Sequence, residues 1–129
     1  MSSSLKSWSQ AQAYCGSLGA ELVKINSEEE NEFVLSLVRD EAASVKQVWI
    51  GLRWDSNGQD YFWSDGSVPV YKNWANGEPN GFSLEPCAQM YTARANSINL
   101  PNRASGRWND IPCSADYKHP SGIVCKKLA

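Results

Sequence analysis

Between residues 77 and 110 the chain gathers oxygen-bearing side chains at short spacing: Gly77-Glu78-Pro79-Asn80, a further acid at Glu85, and Trp108-Asn109-Asp110 downstream. Three carboxylates and two side-chain amides form an all-oxygen donor set suited to a hard cation. Calcium takes roughly six to eight oxygen ligands at about 2.3–2.6 Å, and amide carbonyls are acceptable beside carboxylates. A cation held in this way keeps positions open for water or for the vicinal hydroxyls of a sugar. The same side chains suit that second role, because a carboxylate accepts hydrogen bonds and an amide nitrogen donates them. The pattern points to calcium and to a bound ligand.

Catalysis is a poorer reading of these acids. Glu78 and Glu85 would have to act as a glycosidase pair at fixed separation, yet service as cation ligands keeps both ionised. The single histidine, His119, precedes Pro120 in a loop-like stretch, and no serine or cysteine sits in a nucleophile context. A net charge of −2 gives no basic footprint for nucleic acid. No apolar run approaches the ~20 residues of a membrane span, so direct membrane insertion is not expected. The start, Met1-Ser2-Ser3-Ser4-Leu5-Lys6, lacks the apolar stretch of a signal peptide. It reads as an excised domain opening with an added methionine rather than as a processed secreted chain.

The elements that must position the acids fit one domain. With 129 residues and 42% hydrophobic content, the chain is long and apolar enough for a single core. Ser7 with Gln10, and Ser27 with Glu30, read as capping boxes opening two helices. Trp8, Ala11, Cys15 and Leu18 give the first an apolar face, and Gly19 terminates it. Phe33, Val34, Leu37 and Val38 are expected to form the buried stripe of the second. The run Glu28–Glu30 complements the helix dipole. Leu22–Ile25 reads as an extended link. From Val48 the pattern turns to strands: Val48–Leu52 as a buried run, Asn57-Gly58 as a turn, then Tyr61-Phe62-Trp63 and a turn at Ser64–Ser67. Residues 72–86 are rich in Gly, Pro and Asn, with little periodicity. Cys87–Tyr91 and Ile123–Cys125 supply later strands. Helices followed by strands argue an α+β fold. The four cysteines permit three pairings, and no C-x-x-C arrangement marks a zinc or redox site.

The motifs in combination resemble the C-type lectin domain family over nearly the whole chain. Besides Glu78-Pro79-Asn80 and Trp108-Asn109-Asp110, they include Trp49-Ile50-Gly51-Leu52, Trp63-Ser64-Asp65-Gly66 and Asn73-Trp74, with Cys15, Cys87, Cys113 and Cys125 in the family's order. The resemblance implies two helices flanking antiparallel sheets, with a long irregular loop carrying the site. It implies disulfides Cys15–Cys125 and Cys87–Cys113. It also implies calcium held by Glu78, Asn80, Glu85, Asn109 and Asp110, with a cis bond before Pro79.

For the ligand, the resemblance implies that a sugar is held by Glu78, Asn80, Glu85 and Asn109. The Glu-Pro-Asn order goes with mannose, glucose, N-acetylglucosamine and fucose, and the reversed Gln-Pro-Asp order with galactose. Phe82 stands where the family often sets a side chain against the sugar ring; the other reading packs it beneath the loop. Trp74 and Trp108 read as core. An auxiliary calcium site is not expected, because Gly81 and Pro86 replace acids and Asp55 alone does not make one. Residues 93–107, with Arg94, Arg103 and Arg107, look like an insertion. The family's usual first strand is missing or badly shortened, which makes residues 1–6 an added start or linker and residues 7–129 the recognition domain. The expected partners are mannose-type glycans in an extracellular setting, secreted or on a receptor ectodomain. Avidity would come from tandem domains, in the manner of the mannose-receptor type, or from oligomers. The alternative is calcium-dependent recognition of a protein ligand through the same loop.

Overall fold

Ser7 and Ser27 start the two helices, as their spacing to Gln10 and Glu30 implies. In the computed structural model, which describes residues 2–4 (backbone), 7–38, 47–75, 77–79, 81–92, 105–114 and 121–127, helix α1 spans Trp8–Ser17 and helix α2 spans Glu28–Leu37. The first capping box is complete: Gln10 N donates to Ser7 Oγ at 3.2 Å, and Ser7 N donates to Gln10 Oε1 at 3.0 Å. The second is half formed. Glu30 N donates to Ser27 Oγ at 3.1 Å, but the Glu30 carboxylate accepts from Asn26 N and from Lys126 Nζ, each at 2.7 Å. That acid ties α2 to the C-terminal strand instead of closing its own cap.

Trp8, Ala11 and Cys15 are buried on α1, as expected, while Leu18 at its C-cap is 51% exposed. Gly19 follows at φ 71°, a left-handed turn that glycine adopts without strain. The expected stripe on α2 is corrected. Val34 and Val38 are buried, but Phe33 and Leu37 are 63% and 48% exposed, and the third buried position is the polar Asn31. Positions 31, 34 and 38 fall on one line of the helix surface; 33 and 37 lie about 100° to the side. Asn31 is tolerated inside because both ends of its amide are satisfied. Its Oδ1 accepts from Trp108 Nε1 at 2.9 Å, and its Nδ2 donates to the Gly106 carbonyl at 3.0 Å.

The remaining elements are β1 (Ser2–Ser4), β2 (Ala20–Leu22), β3 (Gln47–Asp55), β4 (Asp60–Trp63), β5 (Cys87–Tyr91), β6 (Trp108–Ile111), β7 (Ser121–Ile123) and β8 (Cys125–Lys127). The main sheet runs β1-β7-β3-β5-β6, with β4 also paired to β3, and β2 pairs with β8 in a second sheet. A first strand is therefore present, though only three residues long. It pairs antiparallel with β7, so residues 2–4 are sheet rather than linker.

Strand β3 divides the interior. Val48, Ile50 and Leu52 join Val34 and Val38 of α2, Trp63, Met90 and Trp108 in one apolar cluster, whereas Trp49 joins Trp8, Ala11 and Cys15 of α1 in the other. The two-residue period of a strand produces this split. Gly51 lets the second sheet approach: its N–H donates to Val23 O at 2.9 Å, and a Cβ there would stand 2.9 Å from Leu22 O. The disulfides are those the resemblance implies, Cys15–Cys125 and Cys87–Cys113. Closing spans of 110 and 26 residues restricts the unfolded chain by about 5 and 3.5 kcal/mol in the chain-entropy account.

Asn31→Leu keeps the side-chain volume but strands the Trp108 indole N–H, while the Gly106 carbonyl keeps its bond from Asn73 Nδ2 at 2.8 Å. A loss of about 1–3 kcal/mol is expected, the cost of one buried unsatisfied group. Urea unfolding with the disulfides intact measures it.

Candidate functional site

Residues 72–86 have little periodicity, so something other than a strand ladder must hold them; β6 does so at two places. The Trp108 backbone holds the start of the segment, its N–H donating to Asn73 O at 2.9 Å and its carbonyl accepting from Ala75 N at 2.7 Å. Two residues further on, Asp110 is only 1% exposed. Its Oδ2 accepts from Gly81 N at 2.7 Å, from Phe82 N at 3.3 Å, and from the Tyr61 hydroxyl at 3.1 Å. Glu78 and Pro79 lie between these two anchors, joined by a cis peptide bond.

Glu85 follows a 3-10 turn, Phe82–Leu84, its N–H donating to Phe82 O at 3.1 Å. Its carbonyl is also 3.1 Å from the Tyr61 hydroxyl. Gly81 makes room for it: a Cβ at 81 would stand 2.6 Å from Glu85 Cβ and would run into the rest of that side chain.

The electrostatics of the carboxylates set this loop apart from a solvated turn. Burial pushes the Glu78 carboxyl up to about 8, helped by its hydrogen bond to Asp110 and by the charges of Asp110 and Glu85. Burial and the Asp110 charge raise Glu85 as well. Tyr61 is pushed well above the ordinary phenol range by burial first and Asp110 next. The hydrogen bond between Glu78 and Asp110 requires a proton between two carboxyls, a place that a cation can take. The donor chemistry thus suits calcium, all oxygen and mutually repelling. Among the described residues, however, no three His, Cys, Asp or Glu side chains stand together as a ready metal cluster, and Asp110 is engaged with the loop backbone.

The structure brings Glu78, Glu85 and Asp110 of the expected set within electrostatic reach of one another. Asn109 is half-buried on β6, in register with Gln89, and Asn80 lies outside the described residues. Phe82 packs its ring on Trp54 with centroids 5.3 Å apart and remains 46% exposed. Trp108 is fully buried, and Trp74 packs against the same core. Asp55 accepts from Asn57 N at 3.0 Å and so closes its own turn. Arg107 donates to Asn73 Oδ1 at 2.9 Å, while Arg94 and Arg103 lie outside the described residues. Sequence reasoning missed Tyr61. Its place on the Trp63 face of β4, which the alternation of a strand implies, was the available signal.

The sequence matches the Lectin C-type domain family over residues 4–127. It is 36% identical over 124 residues to ladderlectin of Oncorhynchus mykiss, covering 95% of this chain and 59% of that protein. Among solved structures, the cow CD23 carbohydrate-recognition domain, crystallised in the presence of a GlcNAc2Man3 oligosaccharide, aligns with TM-score 0.74 and 32% identity, over 99% of this chain and 84% of that one. A calcium-independent type II antifreeze protein aligns with TM-score 0.71 and 27% identity, over 96% and 80%. The chain belongs to the C-type lectin domain family, and it is a binding domain rather than an enzyme. It spans less than two thirds of the length of the first curated relatives it matches. Among the described residues, no helix is long and apolar enough to cross a membrane.

The raised carboxyl pKa values fix the sign of a pH dependence. A folded-state value of about 8 for Glu78, against an ordinary 4.5, means that the calcium-free fold binds the proton more tightly than the unfolded chain does. Calcium-free stability is therefore expected to fall as pH rises from about 4.5 through 8. Thermal unfolding in chelator across that range checks it, and Glu78→Gln should flatten the slope.

Proposed function

We propose that this chain is a calcium-dependent carbohydrate-binding domain that grips vicinal hydroxyls of the mannose, fucose and N-acetylglucosamine class. The observation that carries the reading is the loop gathered on buried Asp110, whose carboxylate accepts from Gly81 N and Phe82 N while Glu85 packs against Gly81 and both Glu78 and Glu85 feel the Asp110 charge. Glu78, Asn80, Glu85, Asn109 and Asp110 would hold the ion. Calcium, when bound, supplies open coordination positions for two neighbouring sugar hydroxyls. The chain's own side chains do the rest. Glu78 and Glu85 accept hydrogen bonds from those hydroxyls, the amides of Asn80 and Asn109 donate to them, and the exposed Phe82 ring offers apolar contact to the sugar. Asp110 holds the backbone of Gly81 and Phe82, and thereby the angle of the loop.

The Glu-Pro-Asn order supports the mannose class, as does the oligosaccharide named with the cow CD23 structure. The two disulfides support an extracellular setting, secreted or on an ectodomain. One site gripping one diol binds weakly, at about millimolar Kd. Avidity then comes from tandem copies or oligomers.

Retention on immobilised mannose with calcium, and release by chelator and by free mannose, is the expected result. Failure on mannose despite measured calcium binding would favour a protein ligand at the same loop. Binding that survives chelator would align the chain with its calcium-independent relative. The double variant Glu78→Gln, Asn80→Asp is expected to move retention from mannose to galactose. Gly81→Ala, which displaces Glu85, should weaken calcium binding about tenfold or more by calorimetry, an effect of about 1.4 kcal/mol.

A further inference from the structure

Beneath the long loop, between it and strands β3 and β4, lies a groove of about 290 Å³ walled by Trp54, Tyr61, Trp74, Pro79 and Phe82. The aromatic walls already pack on one another in sequence. Phe82 and Trp54 have ring centroids 5.3 Å apart at 60°, Trp54 and Tyr61 5.3 Å at 67°, and Tyr61 and Trp74 5.1 Å at 58°. Edge-to-face and tilted contacts at about 4.5–7 Å are the favoured arrangement of aromatic rings, and a further ring would extend the same series. A groove of this volume lies near the lower end for small-molecule pockets, which suits a single ring rather than a long chain.

Two further observations separate the groove from an ordinary gap in packing. Among the described residues, two that are not glycine have positive φ, Gln59 at 54° and Phe82 at 47°, and both line this groove. Backbone held in that region is unfavourable for residues with a side chain, and such strain gathers at ligand sites. At Phe82 it is enforced by the hydrogen bonds of Gly81 N and Phe82 N to Asp110, which leave the ring both docked on Trp54 and open to solvent. The candidate acids do not line the groove but adjoin it: Tyr61, which lines it, has its hydroxyl 3.1 Å from Asp110 Oδ2 and from the Glu85 carbonyl, and Pro79 is bonded to Glu78.

We propose that this groove is a subsite for an aromatic aglycone: the chain prefers sugars that carry an aryl group beside the hydroxyls held at Glu78 and Glu85. The subsite rests on the sugar-binding function proposed for the loop and adds a preference to it. The aryl ring would lie against Phe82 and Trp54 while the sugar remains at the carboxylates.

Competition for a mannose surface by phenyl α-mannoside and by methyl α-mannoside, in calcium, tests it. The phenyl glycoside should compete roughly tenfold better, the gain expected from burying one face and edge of a ring. Phe82→Ala and, independently, Trp54→Leu should bring the ratio of the two glycosides to about one. The ratio is an internal control for any general weakening of the loop. Equal competition by both glycosides with the native chain would overturn the subsite and leave the sugar reading standing. So would a phenyl preference that survives both substitutions. If neither glycoside binds although calcium does, the sugar reading and the subsite fall together.

Discussion

The Asp110 carboxylate accepts from the backbone N–H groups of Gly81 and Phe82, and the described residues between Ala75 and Pro86 have no strand ladder to replace those bonds. A buried acid with several donors is held firmly, because leaving such groups unpaired in a low-dielectric setting is costly. The rest of the loop depends on that grip. It sets the left-handed turn at Phe82, the 3-10 turn that delivers Glu85, and the separation of Glu78 from its fellow acids. It also makes β6 a shared spine. Trp108 holds the start of the loop from its backbone and packs its ring into the core, where its edge meets Trp63, Tyr71 and Trp74. The strand that carries Asn109 and Asp110 thus joins the loop to the interior.

Much of this was legible in the sequence, for local reasons. Capping side chains act within three residues of a helix start, so Ser7 and Ser27 marked both helices correctly. The apolar run at Val48–Leu52 is buried on both faces, which is why it showed no alternation and still read as a strand. Features governed by distant partners were not legible. Asn31 reads as a surface residue until Trp108, 77 positions later, supplies the donor that lets it replace an apolar side chain. That exchange rotates the buried line of α2 away from Phe33 and Leu37. The diversion of Glu30 from its cap to Lys126 has the same origin, a partner 96 residues away.

In the site, the motif identified the acids but not their support. Glu78, Glu85 and Asp110 announce themselves by type and spacing, whereas the role of Asp110 depends on backbone N–H groups that a sequence does not display. Tyr61 is similar. Its hydroxyl reaches both Asp110 and the Glu85 carbonyl because β4 sets it on the face beneath the loop. The groove beside Pro79 was hidden for a further reason: its walls come from β3, β4 and two stretches of the loop, so no single segment carries its pattern.

The two disulfides are nested, Cys87–Cys113 lying wholly inside the span closed by Cys15–Cys125. A protease that cuts any one peptide bond between residues 15 and 125 therefore releases nothing, because the two pieces stay covalently joined. A cut between residues 87 and 113 leaves them joined twice. The nicked molecule gains only the mass of one water, and its two pieces separate only when a reductant is added.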